Sequence, residues 1–360
     1  MQIYSNPQQD VRSDKRQSGG YEWWYFDATS DDGRYSFVVI FYEGNPFSTR
    51  YNARLLDGDN PMPSEHPAIS ITIYEYDEPI YYSFTEFQPE RCLFSEEQPD
   101  VKVGSHHMEG KLGEGNLVYL LKLDEELPNG DEIKAELTFK SPATEALFDS
   151  NGNTSNGHRW NLVQPRARVT GDISIRAENE RAIEIQFKGT GYHDHNTGQE
   201  PMRNEFTDWY WGRFHFDFGT LVYYVMNRQQ TEQHQAWLID SDNSRIIEHF
   251  NEIDSADKGL TLFGLKTARK IGLRSARAEV QVQQRVLLDN GPFYQRYLSD
   301  AYLQIPDRDL VESAKGISEY IYPDRIYAKI FWPFVDMRIR YKAEKPHWVQ
   351  RSKTLYRWTW

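Results

Sequence analysis

Residues 191–198 hold the densest group of side chains that could do chemistry. Their sequence, GYHDHNTG, places two histidines, an aspartate and an asparagine in consecutive positions between glycines. In an extended backbone, residues two apart face the same side, so His193 and His195 would share one face and Asp194 and Asn196 the other. These residue types suit a metal site, an acid–base site or a hydrogen-bonded turn.

The metal alternative depends on the HxH pattern, because two imidazoles on one side of a strand can bind one ion. Glu200 follows His195 after four intervening residues, as in the first motif of cupins. The flanking glycines are spaced differently, however, and no second cupin motif follows. His215 is the nearest further histidine, and nothing in the spacing requires it as a ligand. We therefore expect no metal here.

The acid–base alternative depends on Asp194. Apolar surroundings would keep its carboxyl group neutral, so that it could donate a proton, with His193 or His195 as relay. In the third alternative, the segment is a turn in which Asp and Asn side chains bond their own backbone and the histidines are structural. The spacing leaves the acid–base and turn alternatives open.

A second stretch, DWYWGRFHFDF at 208–218, has two different faces. One carries aromatic residues typical of a core. The other mixes indoles with polar groups, as the wall of a ligand cavity would: Trp209, Trp211, Arg213 and His215. A solvated face with Arg213 paired to Asp217 is the alternative.

The stretch YEWWYFDA at 21–28 is bulky on both faces, which predicts a strand buried on both sides. Trp23 is a candidate for substrate contact. A carboxylate among these rings, Glu22 or Asp27, needs a partner, and Arg213 is one candidate.

Composition limits the classes of function. The 360-residue chain has a net charge of −13 and 14% aromatic residues. The acidic balance argues against non-specific nucleic-acid binding and against electrostatic attraction to an anionic membrane. One cysteine excludes an internal disulfide and a Cys-rich zinc motif. With no apolar signal or membrane-length run, we expect a cytoplasmic protein; peripheral membrane contact and oligomeric state are left open.

Short β-branched and aromatic runs separated by turn signals recur along the chain, which predicts an all-β fold closed as barrels or sandwiches. We expect two β domains, 1–200 and 201–360, with the GYHDHNTG segment near their junction, where ligand pockets often form. The best helical candidate is 255–270.

Three stretches together resemble one family. YEWWYFDA at 21–28, GTGYHDHNTG at 189–198 and DWYWGRFHF at 208–216 are similar to the AttH/CrtC family, which includes the carotenoid 1,2-hydratases. The resemblance implies two consecutive lipocalin-like β domains and an apolar, elongated substrate. Its hydratases add water across a terminal double bond through a carboxylic acid, without metal or organic cofactor. The fold is also similar to that of decalin-forming pericyclases.

Two positions depart from this pattern. The family's hydratases have tryptophan where this chain has Thr197. They also carry a proton-donating aspartate after tyrosine on the strand that here reads TLVYYVMNR, where Val225 or Met226 replaces it. The departures put carotenoid hydration in doubt and favour a changed reaction.

The combined expectation is an enzyme that protonates an isoprenoid or polyene in an aromatic-lined cavity, as a hydratase or a terpene cyclase. Asp194 is the first candidate for the acid, supported by Asn196 and the two histidines. Aromatic faces would stabilise the carbocation, namely those of Trp23, Trp209, Trp211, Tyr223 and Tyr224. A pericyclase and a non-catalytic carrier of apolar ligands are the alternatives.

Overall fold

The computed structural model describes residues 1–14, 17–143, 147, 157–177, 181–228, 232–306 and 309–360. The all-β prediction is confirmed, with two curled half-barrel sheets of the lipocalin-like type. The chain divides into two compact units, of which the first comprises 1–201 and 329–360 and the second 202–328. The predicted second domain, 201–360, differs from this division because its last 32 residues cluster with the first unit.

The first unit contains a sheet of thirteen described strands. In chain order they are β1 (Gln2–Tyr4), β2 (Tyr21–Ser30), β3 (Tyr35–Glu43), β4 (Ala68–Glu75), β5 (Glu78–Glu86), β6 (Cys92–Phe94), β7 (Asp100–Val103), β8 (His106–Gly113), β9 (Asn116–Glu126), β10 (Glu132–Pro142), β11 (Arg159–Arg176), β12 (Ile183–Gly198) and β22 (Arg340–Tyr341). Their order is β22-β5-β4-β3-β2-β12-β11-β10-β9-β8-β7-β6, and β1 pairs with β11. Apart from the parallel pairs at β1 and β22, neighbours run antiparallel.

Long β11 and β12 cross the middle of this sheet. Pro165 has no amide hydrogen for the ladder, and register shifts occur on both sides of Gln164. Aromatic rings fill the inner side, with Phe26 and Phe37 at 5.3 and 6.0 Å from Phe139. Aromatic and β-branched side chains favour strands, and they bury a large apolar area when both faces of a strand are covered, which explains this packing.

Short helices cover the first unit. They are α1 (Thr49–Asp57), α3 (Trp332–Arg338), α4 (Lys353–Trp358) and 3-10 turns at Pro7–Gln9, Pro63–Glu65, Pro89–Arg91, Lys329–Phe331 and Trp348–Arg351. Ser48 caps α1 by accepting from Tyr51 N, and Gly58 ends it with φ of 80°.

The second unit contains a sheet of nine described strands. They are β13 (Asp208–His215), β14 (Gly219–Asn227), β15 (Glu232–Asp240), β16 (Ile246–His249), β17 (Glu252–Leu260), β18 (Lys266–Arg274), β19 (Glu279–Asn290), β20 (Tyr294–Ile305) and β21 (Leu310–Ile321). Their order is β16-β15-β14-β13-β21-β20-β19-β18-β17. Helix α2 (Met202–Glu205) precedes β13, and a 3-10 turn follows β21 at Pro323–Tyr327.

The predicted helix at 255–270 is wrong, because these residues form the β17–β18 hairpin. Its loop closes with Thr261 N donating to Leu265 O over 2.9 Å, and Gly264 has a φ of 71°. Leu260 and Leu262 are 74% and 83% exposed, whereas Leu265 and Ala268 are buried in the core cluster of the second unit.

Among the described residues, the helices are all too short or too polar to cross a membrane.

Candidate active site

The GYHDHNTG segment is the buried end of β12. It pairs with β2 on one side as far as Gly198, and with β11 on the other side as far as Thr197. The turn predicted by the third alternative is therefore wrong, because the strand continues through the whole segment. The histidines of that alternative, structural and hydrogen-bonded, agree with the partners described below. Alternation places His193 and His195 on one face and Asp194 and Asn196 on the other, where the two pairs have different partners.

Three donors in the first unit converge on the carboxyl group of Asp194. Trp160 Nε1 donates to Oδ2 over 2.7 Å, and the Tyr192 hydroxyl donates to the same oxygen over 2.6 Å. Asn196 Nδ2 donates to Oδ1 over 2.9 Å. Asp194 is 4% exposed, so these bonds act with little competition from water. The negative charge that remains when Asp194 loses a proton is thus stabilised on both oxygens.

His158 fixes the amide of Asn196. The Tyr21 hydroxyl lies 2.9 Å from His158 Nδ1, and His158 Nε2 lies 3.0 Å from Asn196 Oδ1. Since Asn196 Oδ1 only accepts, Nε2 carries the proton and Nδ1 accepts from Tyr21. The amide nitrogen of Asn196 is thereby held toward Asp194.

Aromatic rings of β2 lie beside this network. Trp23 is opposite Asn196 in the ladder and Tyr25 is opposite Asp194. The Trp23 ring stacks on Tyr21 at 5.3 Å, and the Tyr25 ring meets that of Tyr192 edge-on at 6.1 Å. The structure therefore brings together three predicted site residues, Asp194, Asn196 and Trp23.

On the other face of β12, both histidines contact Asp10 from the N-terminal segment. Asp10 Oδ2 lies 3.0 Å from His193 Nε2 and accepts a hydrogen bond from the Tyr119 hydroxyl. Its Oδ1 lies 3.0 Å from His195 Nδ1, near enough for ionic attraction though poorly aligned for a hydrogen bond. His195 Nε2 lies 2.7 Å from Glu22 Oε1. The partner that Glu22 requires within the first unit is thus His195.

Burial and charge determine the protonation of this cluster. Burial disfavours a charged His195, but the carboxylates of Asp10 and Glu22 outweigh it and raise the pKa of His195 to about 9. Burial would raise the pKa of Asp10, but His193 and His195 hold it well below its usual range. At neutral pH, His195 is therefore an imidazolium between two carboxylates.

A cleft of about 630 Å³ in the first unit opens onto the histidine face of β12. Residues of the N-terminal segment and of β1, β11 and β12 line it, including Gln8, Arg12, Arg159, His195 and Thr197. The lining side chains are mostly polar, in contrast to the apolar cavity expected for the substrate.

No group of three or more His, Cys, Asp and Glu side chains within the described ranges is arranged to hold a metal ion. Glu200 is exposed after the end of β12. His215 belongs to the second unit, where its Nδ1 lies 2.9 Å from Thr220 Oγ1. The cupin-like combination of His193, His195, Glu200 and His215 is therefore not assembled.

The remaining predicted contact residues lie in the second unit on β13 and β14. Trp209, Trp211 and Arg213 are buried, and Arg213 is 1% exposed, so the solvated-face alternative is wrong. Trp211 is opposite Tyr224 in the ladder, whereas Tyr223 points to the other face and joins the core cluster with Phe214. The structure thus places Tyr223 and Tyr224 on different sides of the sheet.

The positions that depart from the family pattern also have defined surroundings. Thr197 Oγ1 lies 2.9 Å from Ser13 Oγ and borders the cleft. Val225 is in the core cluster of the second unit, and Met226 is fully buried. Both positions on β14 are apolar, so this stretch supplies no acid.

Sequence reasoning missed five residues that complete the two networks: Asp10, Tyr119, His158, Trp160 and Tyr192. Trp160 begins the stretch WNLVQPRARVTGDI at 160–173, which also resembles the AttH/CrtC family and so offers a signal for this residue. Tyr192 lies within the quoted segment. Asp10 had no local signal, because its partner His193 is 183 positions away.

Comparison with known proteins identifies relatives over most of the chain. A protein named hydroxyneurosporene dehydrogenase from Chlorobaculum tepidum is 29% identical, over 93% of this chain and 95% of its own. An acyclic carotenoid 1,2-hydratase from Thiocapsa roseopersicina is 25% identical, over 89% of this chain and 74% of its own.

Solved structures share the fold at low identity. CghA in complex with Sch210972 aligns with a TM-score of 0.61 and 10% identity, covering 89% of this chain and 98% of CghA. A putative AttH from Nitrosomonas europaea aligns with a TM-score of 0.60 and 14% identity, covering 88% and 96%. The family model for the carotenoid hydratase CrtC matches residues 39–347. The chain therefore belongs to the CrtC carotenoid hydratase family, as the resemblance of its motifs predicts.

Proposed function

We propose that this protein is an enzyme that protonates a terminal double bond of an acyclic isoprenoid or polyene with the carboxyl group of Asp194, after which water captures the carbocation. The family and the relatives named acyclic carotenoid 1,2-hydratase support the substrate class and the addition of water. The observation that carries the assignment is the convergence of Trp160, Tyr192 and Asn196 on one buried carboxyl group.

These donors stabilise the carboxylate that Asp194 becomes when it gives up its proton. Trp160 Nε1 and Asn196 Nδ2 can only donate, whereas the Tyr192 hydroxyl can also accept. Neutral Asp194 can therefore direct its proton to Tyr192 at 2.6 Å or to a substrate carbon. As the proton leaves, all three groups donate to the developing carboxylate, and they are already in place when charge appears.

The proposed reaction balances without a cofactor. The proton of Asp194 forms a C–H bond at one alkene carbon, and the π electrons leave a cation at the other. Water adds to the cation and returns a proton to the Asp194 carboxylate. Faces of nearby aromatic rings stabilise the cation, each by roughly 0.5 to 2 kcal/mol; we assign this role to Trp23, which is opposite Asn196 in the ladder.

We assign His193 and His195 to anchoring the N-terminal segment through Asp10, because their side chains face away from Asp194. Within the second unit, the predicted contacts with an apolar ligand stay predictions: Trp209, Trp211, Arg213, His215 and Tyr224.

A second candidate is capture of the cation by an alkene of the same molecule, which would make the enzyme a cyclase. Thr197 and Val225 favour it, since both depart from the hydratase pattern. The Asp194 carboxylate would then take the final proton, and the product would be an isomer of the substrate.

Incubation of the full chain with an acyclic carotenoid in heavy water separates these reactions. A hydratase gives a product heavier by one water, with one carbon-bound deuterium, and a cyclase gives a deuterated isomer. An isomer without deuterium would indicate a pericyclase, and unchanged ligand a carrier; either result would contradict the protonation mechanism.

The residue assignment is tested with Asp194→Asn, which keeps the shape but cannot supply the acid. We expect its turnover to fall below detection while the fold is retained. The matched control is Asp100→Asn, a half-buried carboxylate on β7 that accepts from His107 and lies five strands from β12 in the sheet. Full activity in Asp194→Asn would refute the assignment.

A further inference from the structure

The C-terminal segment (329–360) exposes apolar side chains to an unusual degree. Of the fifteen large apolar side chains that are exposed among the described residues, five belong to this segment, which is less than a tenth of the chain. Ile330 and Trp358 are each 77% exposed, and Trp348 is 67% exposed. Exposed apolar groups concentrated in one short segment are typical of an interaction surface.

The charge of the segment is opposite to that of the whole protein. It contains eight lysines and arginines against two acidic residues, a balance of +6, whereas the chain has a net charge of −13. Lys345 and Arg351 are both exposed. The net charge of the whole chain argues against binding to an anionic membrane, but this basic region would be attracted to one.

The inner side of the segment is fixed to the first unit. Arg340 Nη1 donates to Glu126 O over 3.0 Å, the Tyr341 hydroxyl accepts from Thr49 N over 3.1 Å, and β22 pairs with β5. Val349, Gln350 and Tyr356 are buried. In α4, Leu355 and Trp358 are three residues apart and share the face away from buried Tyr356. The apolar groups are thus held outward by an anchored scaffold.

We propose that the C-terminal segment docks the protein on an anionic lipid bilayer, with Trp348 and Trp358 entering the interface between head groups and acyl chains. Tryptophan favours this depth, and basic side chains beside it bind anionic head groups. Charge complementarity distinguishes this partner from an uncharged apolar surface. The purpose of docking rests on the proposed function, because an acyclic carotenoid or other polyene resides in the bilayer and must be taken from it.

The test is co-sedimentation of the full chain with vesicles of phosphatidylcholine alone or mixed with phosphatidylglycerol, without substrate. We expect binding to the anionic vesicles that weakens as salt increases. Each basic residue near such a surface contributes about 1 kcal/mol, or roughly fivefold in partition. The double variant Lys345→Gln/Arg351→Gln should therefore bind roughly 25-fold more weakly.

Trp348→Ser/Trp358→Ser should lose binding and also the fluorescence quenching by brominated lipid. The matched control is Leu112→Ser/Val311→Ser, which removes apolar groups that are 50% and 72% exposed elsewhere. Equal losses in both double variants, or no sedimentation of the unaltered chain, would overturn the proposal. So would a dimer, measured by light scattering, that the tryptophan variant converts to a monomer, since the partner would then be a second copy.

Activity separates this proposal from the preceding one. The tryptophan variant should keep its turnover on detergent-dispersed carotenoid and lose at least tenfold on vesicle-embedded carotenoid. Asp194→Asn should bind vesicles normally while inactive, so failure of either proposal leaves the other measurable.

Discussion

Raising the pH from about 6.5 to about 9 should destabilise the protein through His195. The folded protein holds the proton of His195 more tightly than the unfolded chain does, because Asp10 and Glu22 lie on either side of the imidazolium. Its pKa is about 9 when folded, against an ordinary value of 6.5. A raised pKa contributes stability that is fully present below 6.5 and is lost as the pH rises through 9.

The shift sets the size of the effect. Each pKa unit corresponds to about 1.36 kcal/mol, so the raised pKa of His195 contributes up to about 3 kcal/mol to the free energy of unfolding. Whole proteins are stable by about 5 to 15 kcal/mol, so this loss is large enough to measure. Asp10 acts in the opposite direction and at lower pH, because its lowered pKa contributes stability that is lost on acidification below its ordinary value of 3.8.

Urea unfolding at several pH values between 6 and 9.5 measures the slope. In His195→Gln we expect a lower stability at pH 6.5 and loss of most of the decline between 6.5 and 9. The control, His249→Gln, removes an exposed histidine bonded to Gln235 and should keep the decline. An NMR titration that follows the ring protons should assign the histidine with a midpoint near 9 to position 195.

Two results would refute this reasoning. One is a stability decline in His195→Gln as steep as that of the unaltered chain. The other is an NMR midpoint for His195 at or below 6.5, which would mean that burial outweighs the two carboxylates.

Three further perturbations test the packing and the site. Trp160→Phe removes one donor to Asp194 and should lower kcat by about 100-fold with little change in KM, measured by steady-state kinetics; an unchanged kcat would contradict the role of this bond. Gly191→Ala should lower the free energy of unfolding in urea by about 1 to 3 kcal/mol, because a Cβ there would lie 2.6 Å from a backbone oxygen. In the control, Gly113→Ala, the Cβ meets no atom within 4 Å, so the free energy of unfolding should hardly change. Glu319→Gln leaves a buried arginine 2.9 Å away without its carboxylate and should cost about 3 to 5 kcal/mol; a loss below about 1 kcal/mol would show that the pair is solvated.

The GYHDHNTG segment shows which features of the site can be predicted from the local sequence pattern. Alternation along a strand follows from backbone geometry alone, so the separation of His193 and His195 from Asp194 and Asn196 is predictable from four consecutive residues. The contacts of each pair are not predictable in this way. One donor to Asp194 comes from β11, and the partner of both histidines is residue 10. An acid and a relay were therefore expected where the structure has two separate networks.

In the second unit, too, some strand faces and secondary-structure elements were predictable from the sequence and others were not. The bulky apolar face of β13 was predictable, and so was the presence of strands throughout 219–227. That Tyr223 joins the core while Tyr224 faces the other side depends on the register with β13, which tertiary packing selects. The segment 255–270, predicted as a helix, is a hairpin because β18 pairs with β19 as well as with β17.

The sequence by itself determined the all-β class, the family and the group of side chains that could act as acid, since each depends on residue types and short-range spacing. Tertiary structure alone decided which carboxyl group receives three donors, which histidine lies between two carboxylates, and that the last 32 residues return to the first unit. The reason is physical: side-chain alternation is set within a few residues, whereas burial, hydrogen-bond partners and pKa depend on groups that the fold brings together from distant parts of the chain.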